Sequence, residues 1–225
     1  MIGQFFKALS YIFHPLLMPL LGIYFIFELP SIPTSLRIYD SLYFFPDEAK
    51  FRIYIVLGVL TFAAPLLSLL IMYWNGMISS LHLEKKQERV YPYFIVTFYY
   101  ALAFIFVRYQ WPEELGHPAF LGFLFGIILV NVISLFLNYF LKVSAHAAAS
   151  FGVAGLLVGY NQTQIAFFES EAFPNLGFTL FFLVLSGLIV TGRLYLKAHT
   201  LTEVLTGMAL GFFGIYCCVK FGIYI

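Results

Sequence analysis

Uninterrupted apolar runs of about 20 residues recur along the whole chain, and they limit its fold more than any other feature. A run of that length crosses roughly 30 Å of hydrocarbon as one helix. Such runs, at about 8–28, 51–75, 93–110, 118–141, 147–168, 176–192 and 201–222, give seven expected crossings. The runs are continuous rather than alternating, so the spanning elements are helices and not barrel strands. The expected fold is an all-α polytopic transmembrane bundle, with residues 1–225 forming a single integral membrane domain. Apolar residues make up 62% of the chain and charged residues only 10%, against about half and a quarter in ordinary soluble domains.

A net charge of +1 argues against a nucleic-acid partner and against a polybasic lipid-surface patch. Membrane lipids are the expected surroundings, and no protein partner is implied. Cys217 and Cys218 are adjacent within an apolar run, a poor arrangement for a disulfide between them. The N-terminal stretch "MIGQFFKALSYIFHPLLMPLLGIYFIF" lacks a small-residue cleavage pattern and reads as a retained membrane segment.

Three joints carry clusters of reactive residues: Lys85, Lys86 and Arg89; Ser144 and His146; Arg193, His199 and Glu203. Two crossings separate each group from the next, so all three emerge on one membrane face. Glu203 lies one helical turn after His199, where a carboxylate can hold one ring nitrogen as N–H and leave the other free to attack. Gly207 and Gly211 continue that stripe and allow a neighbouring helix to approach closely. Arg193 offers a planar fork suited to phosphate oxygens.

Gly192, Arg193, five residues, His199, three residues and Glu203 resemble the third signature of the type 2 phosphatidic acid phosphatase superfamily, S-R-x5-H-x3-D. "VSAH", residues 143–146, is similar to its second signature, P-S-G-H, and "EKKQERVYP", residues 84–92, to a compressed first signature, K-x6-R-P. The resemblance spans residues 84 to about 211. Glutamate stands for aspartate at 203, glycine for serine at 192, valine for proline at 143 and alanine for glycine at 145. Two apolar runs fill the interval between the first two signatures, which implies an inserted helical hairpin.

The resemblance implies a metal-independent phosphatase without cofactors, acting on a lipid phosphate or polyprenyl diphosphate through a phosphohistidine. In it, His199 is the nucleophile, Glu203 orients its ring and His146 is the acid and base. Lys86, Arg89, Ser144 and Arg193 hold phosphate. Periodicity does not decide between Lys86, at i, i+3 from Arg89, and Lys85, at i, i+4. The family also implies a cell-membrane protein with its site facing away from the cytoplasm, whereas the raw Lys and Arg distribution favours the opposite side.

Each group also has a plainer reading. Ser144 suits an N-cap, Thr200 with Glu203 suits a capping box, and Lys85 to Arg89 suit a solvated loop. His14, in "FHPLL", reads as a histidine satisfied near a proline kink, His82 and His117 as loop residues, and Asn131 with Asn138 as interhelical hydrogen-bonding groups. The alternative functions are a non-enzymatic carrier or binder of anionic lipid and a lipid phosphotransferase.

Overall fold

A computed structural model describes residues 1–29, 42–81, 83, 85–110, 116–165 and 175–224. His82, Glu84, Arg37 and Asp40 lie outside the described residues. Nine α-helices follow in chain order among those described: α1 (Ile2–Ile12), α2 (Met18–Glu28), α3 (Asp47–Gly58), α4 (Ala64–Trp74), α5 (Val90–Gln110), α6 (Pro118–Leu137), α7 (Ala145–Ile165), α8 (Leu176–Tyr195) and α9 (Leu201–Lys220). No strand occurs among the described residues.

Among the described residues, six stretches are long and apolar enough to cross a membrane: Ile2–Glu28, Asp47–Trp74, Gln87–Gln110, Pro118–Leu137, Leu176–Tyr195 and Leu201–Lys220. The seventh expected crossing, near 147–168, exists as α7 but is not one of these six. It is rich in Ala and Gly, carries Asn161, Gln162 and Thr163 toward its end, and packs among α2, α6, α8 and α9. A helix enclosed by protein need not be as apolar as one that faces lipid.

Two spans are interrupted, and proline explains both. Pro15 pushes His14 out of helical geometry, to φ −65° and ψ 139°, and a short 3₁₀ turn at Pro15–Leu17 restarts the chain into α2. Between α3 and α4 the helix widens into a π turn at Val59–Ala63, just before Pro65. Pro65 has no N–H to give the carbonyl four residues back, and its ring crowds that carbonyl, so the turn opens.

The centre of the bundle is the parallel pair α7 and α9. A Cβ at Gly211 would lie 2.0 Å from the Ala148 carbonyl oxygen, and one at Gly207 would lie 2.7 Å from that of Ser144. Only the absence of a side chain lets the two backbones meet so closely. Ser144 N–H also donates to the Glu203 carbonyl at 3.2 Å, which ties the two helix starts together.

The three polar joints do converge on one face. Arg89 Nη1 donates to the Val143 carbonyl at 2.9 Å, and Lys142 Nζ donates to the Ala198 carbonyl at 3.2 Å. Asn138 Nδ2 donates to the Lys86 carbonyl at 3.0 Å, so the expected asparagine hydrogen bonding holds there, joining the chain on either side of the α5–α6 hairpin.

Candidate active site

The site forms around the turn that joins α8 to α9. Lys197 adopts a left-handed conformation with φ 53°, Lys197 N–H donates to Leu194 O, and Ala198 N–H donates to Arg193 O. These two bonds close a Schellman motif, with lysine in the place glycine usually takes. The chain therefore reverses tightly and delivers His199 directly before the N-cap Thr200.

His199 is 9% exposed, and its Nδ1 lies 2.9 Å from Glu203 Oε2. The same carboxylate oxygen accepts the Thr200 N–H at 3.1 Å, and the Thr200 hydroxyl accepts the Glu203 N–H at 3.4 Å. The capping box and the oriented imidazole are thus one arrangement, not competing explanations for Glu203. Because the carboxylate takes the proton-bearing Nδ1, the lone pair of the neutral ring is at Nε2. Burial lowers the His199 pKa to about 4, against the opposing pull of the Glu203 hydrogen bond, with Arg89, Lys142 and Arg193 lowering it further. The ring stays uncharged at neutral pH.

His146 sits in the first turn of α7, and its Nε2 lies 3.1 Å from the Ser10 carbonyl at the end of α1. A carbonyl only accepts, so Nε2 carries the proton. Arg193, near the end of α8, brings Nη1 to 3.5 Å from Ser10 Oγ, while its buried Nε has no hydrogen-bond partner among the described residues. An unpartnered, buried donor on a cation is the kind of group an anion would satisfy. Arg89 is 6% exposed and held in place by the Val143 carbonyl and by the Leu83 carbonyl, 2.8 Å from its Nε.

These groups share one cavity of about 170 Å³. Its polar end is lined by His14, Arg89, His146, Arg193 and His199. Its other walls, from α4, α5, α6 and α9, include Leu69, Val96, Tyr100, Phe123, Ile127 and Ile215. The result is an amphiphilic pocket, charged at one end and apolar between helices.

Of the expected site residues, His146, His199, Arg89 and Arg193 line this cavity, and Glu203 stands behind His199. Ser144 is fully buried and accepts the Ala147 N–H at 3.5 Å, an N-cap contact, and is not among the lining residues. Lys86 and Lys85 do not line the cavity either. Lys86 Nζ donates to the Tyr139 carbonyl, and Lys85 Nζ pairs with Glu88 at 3.1 Å. The sequence reads His14 as a histidine satisfied near a proline kink, which its cap on the Leu16 N–H bears out, and Asn131 as an interhelical hydrogen-bonding group; both also line the cavity. The proline after His14 was the available signal, because it forces an N-cap geometry that turns the ring toward the helix break. Among the described residues, no group of three or more His, Cys, Asp or Glu side chains is arranged to hold a metal ion.

A buried histidine–carboxylate pair, a second histidine and two arginines thus meet at one amphiphilic cavity within a bundle whose helices are long and apolar enough to cross a membrane. Residues 136–224 match the family model described as the PAP2 superfamily, the superfamily that the motifs resemble. That stretch contains the second and third motifs but not residues 84–92. No curated protein and no solved structure matches the chain.

Proposed function

We propose that the protein hydrolyses a lipid phosphate or polyprenyl diphosphate through a phosphohistidine, without a metal ion. The observation that carries this reading is the His199–Glu203 pair at 2.9 Å, on the wall of a cavity that also holds His146, Arg89 and Arg193. A protein that only bound anionic lipid would need the arginines but not an imidazole oriented by a carboxylate.

His199 Nε2 attacks phosphorus, the N–P bond forms, and the bond from phosphorus to the lipid oxygen breaks. Glu203 accepts from Nδ1–H throughout and stabilises the ring as it becomes positive. His146, with its Nε2–H on the Ser10 carbonyl, exchanges its other proton at Nδ1. In the charged form it gives that proton to the departing oxygen. It then takes a proton from the water that cleaves the phosphohistidine. Arg89 and Arg193 hold the non-bridging oxygens as charge shifts toward them. Ser144 supports the site by capping α7, and Lys86 by anchoring the approach to α7 at Tyr139. The lipid chain occupies the apolar walls. The site faces away from the cytoplasm.

The test is release of inorganic phosphate from dioctanoyl phosphatidate and farnesyl diphosphate by detergent-solubilised protein in chelator. Turnover that persists under chelator, is inhibited by orthovanadate and disappears in His199→Ala supports the reading. A wild-type protein that binds these lipids without releasing phosphate would be a carrier, and one that passes the phosphoryl group to an added lipid alcohol rather than water would be a phosphotransferase.

A further inference from the structure

Among the described residues, the helices that line the cavity all stop doing so part of the way along their length. On α2, Met18 and Pro19 line it, but Gly22, one turn further on, does not. On α5 the lining stripe is Tyr93, Val96 and Tyr100, and it continues into Ala103, which is fully buried and no longer part of the wall. On α6, which runs the other way, the lining ends at Phe123, and Phe120 beyond it is fully buried. On α7 it ends at Val153, and Leu156 follows fully buried. Ile23, Ala103, Phe120 and Leu156 belong to one packed apolar cluster, which closes the cavity from below.

Helical rise gives the depth. From Tyr93 to Tyr100 on α5, and from His146 to Val153 on α7, the wall descends about 10 Å, and from Ser134 to Phe123 on α6 about 16 Å. The hydrocarbon layer is roughly 30 Å thick, so the cavity ends about halfway across it. A carbon–carbon bond of about 1.5 Å advances about 1.25 Å along an extended chain, so this depth takes about 8–13 carbons.

The closed end is built by a close approach between α2 and α6. A Cβ at Gly22 would stand 2.4 Å from Phe123 Cζ and 3.0 Å from Leu156 Cδ2. The Phe123 ring therefore fills the space one turn beyond Met18 and Pro19, where a longer cavity would have to continue.

We propose that Phe123 and Tyr100 are specificity-determining residues, which form the floor of a blind pocket for a hydrocarbon chain and set the chain length that contributes to binding. That the chain carries a phosphate rests on the lipid-phosphate reading, but the floor itself does not. Both residues lie on the α5–α6 hairpin, outside the matched residues 136–224, so the matched motifs do not carry this property.

The experiment measures calorimetric binding of n-alkyl phosphonates, from butyl to octadecyl, and phosphate release from the corresponding n-alkyl phosphates. It compares wild type, Phe123→Ala, Phe123→Leu and Gly22→Ala in one detergent. Partition of the chain into detergent is common to all four proteins, so the readout is the ratio of variant to wild-type affinity at each chain length. For Phe123→Ala the ratio should be level for short chains and then rise by up to about fourfold per methylene over about three carbons, the reach of the lost ring. Phe123→Leu should show a smaller rise at the same lengths. In Gly22→Ala the new methyl pushes the ring into the open space of the cavity, so the ratio should fall for chains that just fill the wild-type pocket.

Ratios that stay level with chain length in Phe123→Ala and Gly22→Ala overturn the proposal. Gly22→Ala introduces a stronger helix former and keeps the test decisive where Phe123→Ala does not fold. A wild type that releases phosphate while the ratios stay level keeps the phosphatase and removes the floor. Length-dependent ratios in phosphonate binding without phosphate release keep the floor and remove the phosphatase.

Discussion

The close approach of α7 and α9 makes a graded prediction from three glycine-to-alanine substitutions. An ordinary contact between a carbon and a carbonyl oxygen is about 3.3 Å. A Cβ at Gly211 would lie 2.0 Å from the Ala148 oxygen, so the helices must part there by about 1.3 Å. At Gly207 the Cβ would lie 2.7 Å from the Ser144 oxygen, and a shift of about 0.6 Å suffices. At Gly187, on α8, a Cβ meets nothing within 4 Å. Overpacking costs about 1–3 kcal/mol, while replacing a mid-helix glycine by alanine contributes up to about 1 kcal/mol of helix propensity. Gly187→Ala should therefore be neutral or slightly stabilising, Gly207→Ala mildly destabilising and Gly211→Ala clearly so. Because α9 carries Glu203 and α7 carries His146, a displacement of about 1 Å should also lower phosphate release by about a hundredfold in Gly211→Ala. The assays are thermal unfolding in detergent and phosphate release from dioctanoyl phosphatidate. A Gly211→Ala protein as stable and as active as Gly187→Ala would refute the close packing of these helices.

Glu203→Gln should lower kcat by about 10²–10⁴, as expected when an orienting carboxylate is lost, while orthovanadate binding survives; calorimetry beside steady-state kinetics checks this. Arg193→Ala should lower kcat/KM by about 10²–10³, whereas Lys86→Ala, which loses only a rim contact, should fall by about fivefold or less. His199 takes up its proton near pH 4 when folded but near 6.5 when unfolded. Between those values the unfolded chain binds the extra proton, so stability should decline as pH falls from about 6.5 toward 4, and His199→Gln should flatten that decline in unfolding scans. Lys197→Gly, which relieves a left-handed lysine, should raise stability by about 1 kcal/mol without moving His199, read as a higher unfolding temperature with unchanged kcat.

Much of this arrangement is legible in the sequence because it depends on local spacing. The crossings follow from run length, and the common face follows from counting crossings between the polar joints. The His199–Glu203 contact follows from one helical turn, and the glycine stripe from its continuation. What the sequence hides depends on tertiary direction. Lys85, Lys86 and Arg89 lie within one turn and a half, so spacing cannot say which of them faces the bundle. Arg89 turns inward because Leu83 and Val143 present carbonyls to it, and both lysines find partners away from the cavity. The inward placement of α7 was similarly invisible, since an apolar run reads alike against lipid or against protein. His14 and His117 stand as the sequence reads them, one satisfied at a proline kink and the other outside a helix, but their capping roles were not foreseen. Each precedes a proline and caps the helix that follows, His117 by accepting the Ala119 N–H at 3.2 Å. That dipeptide signal was present but outweighed by the apolar context around it.

The Ser10 carbonyl that receives His146 belongs to the main chain, and this has a consequence for how the site can vary. No exchange of side chain at position 10 deletes that acceptor; only a change in the path of the first helix moves it. The aim of the His146 ring is therefore set by backbone shape rather than by residue identity, and substitutions that bend or unwind α1, outside the motifs altogether, should turn the ring away.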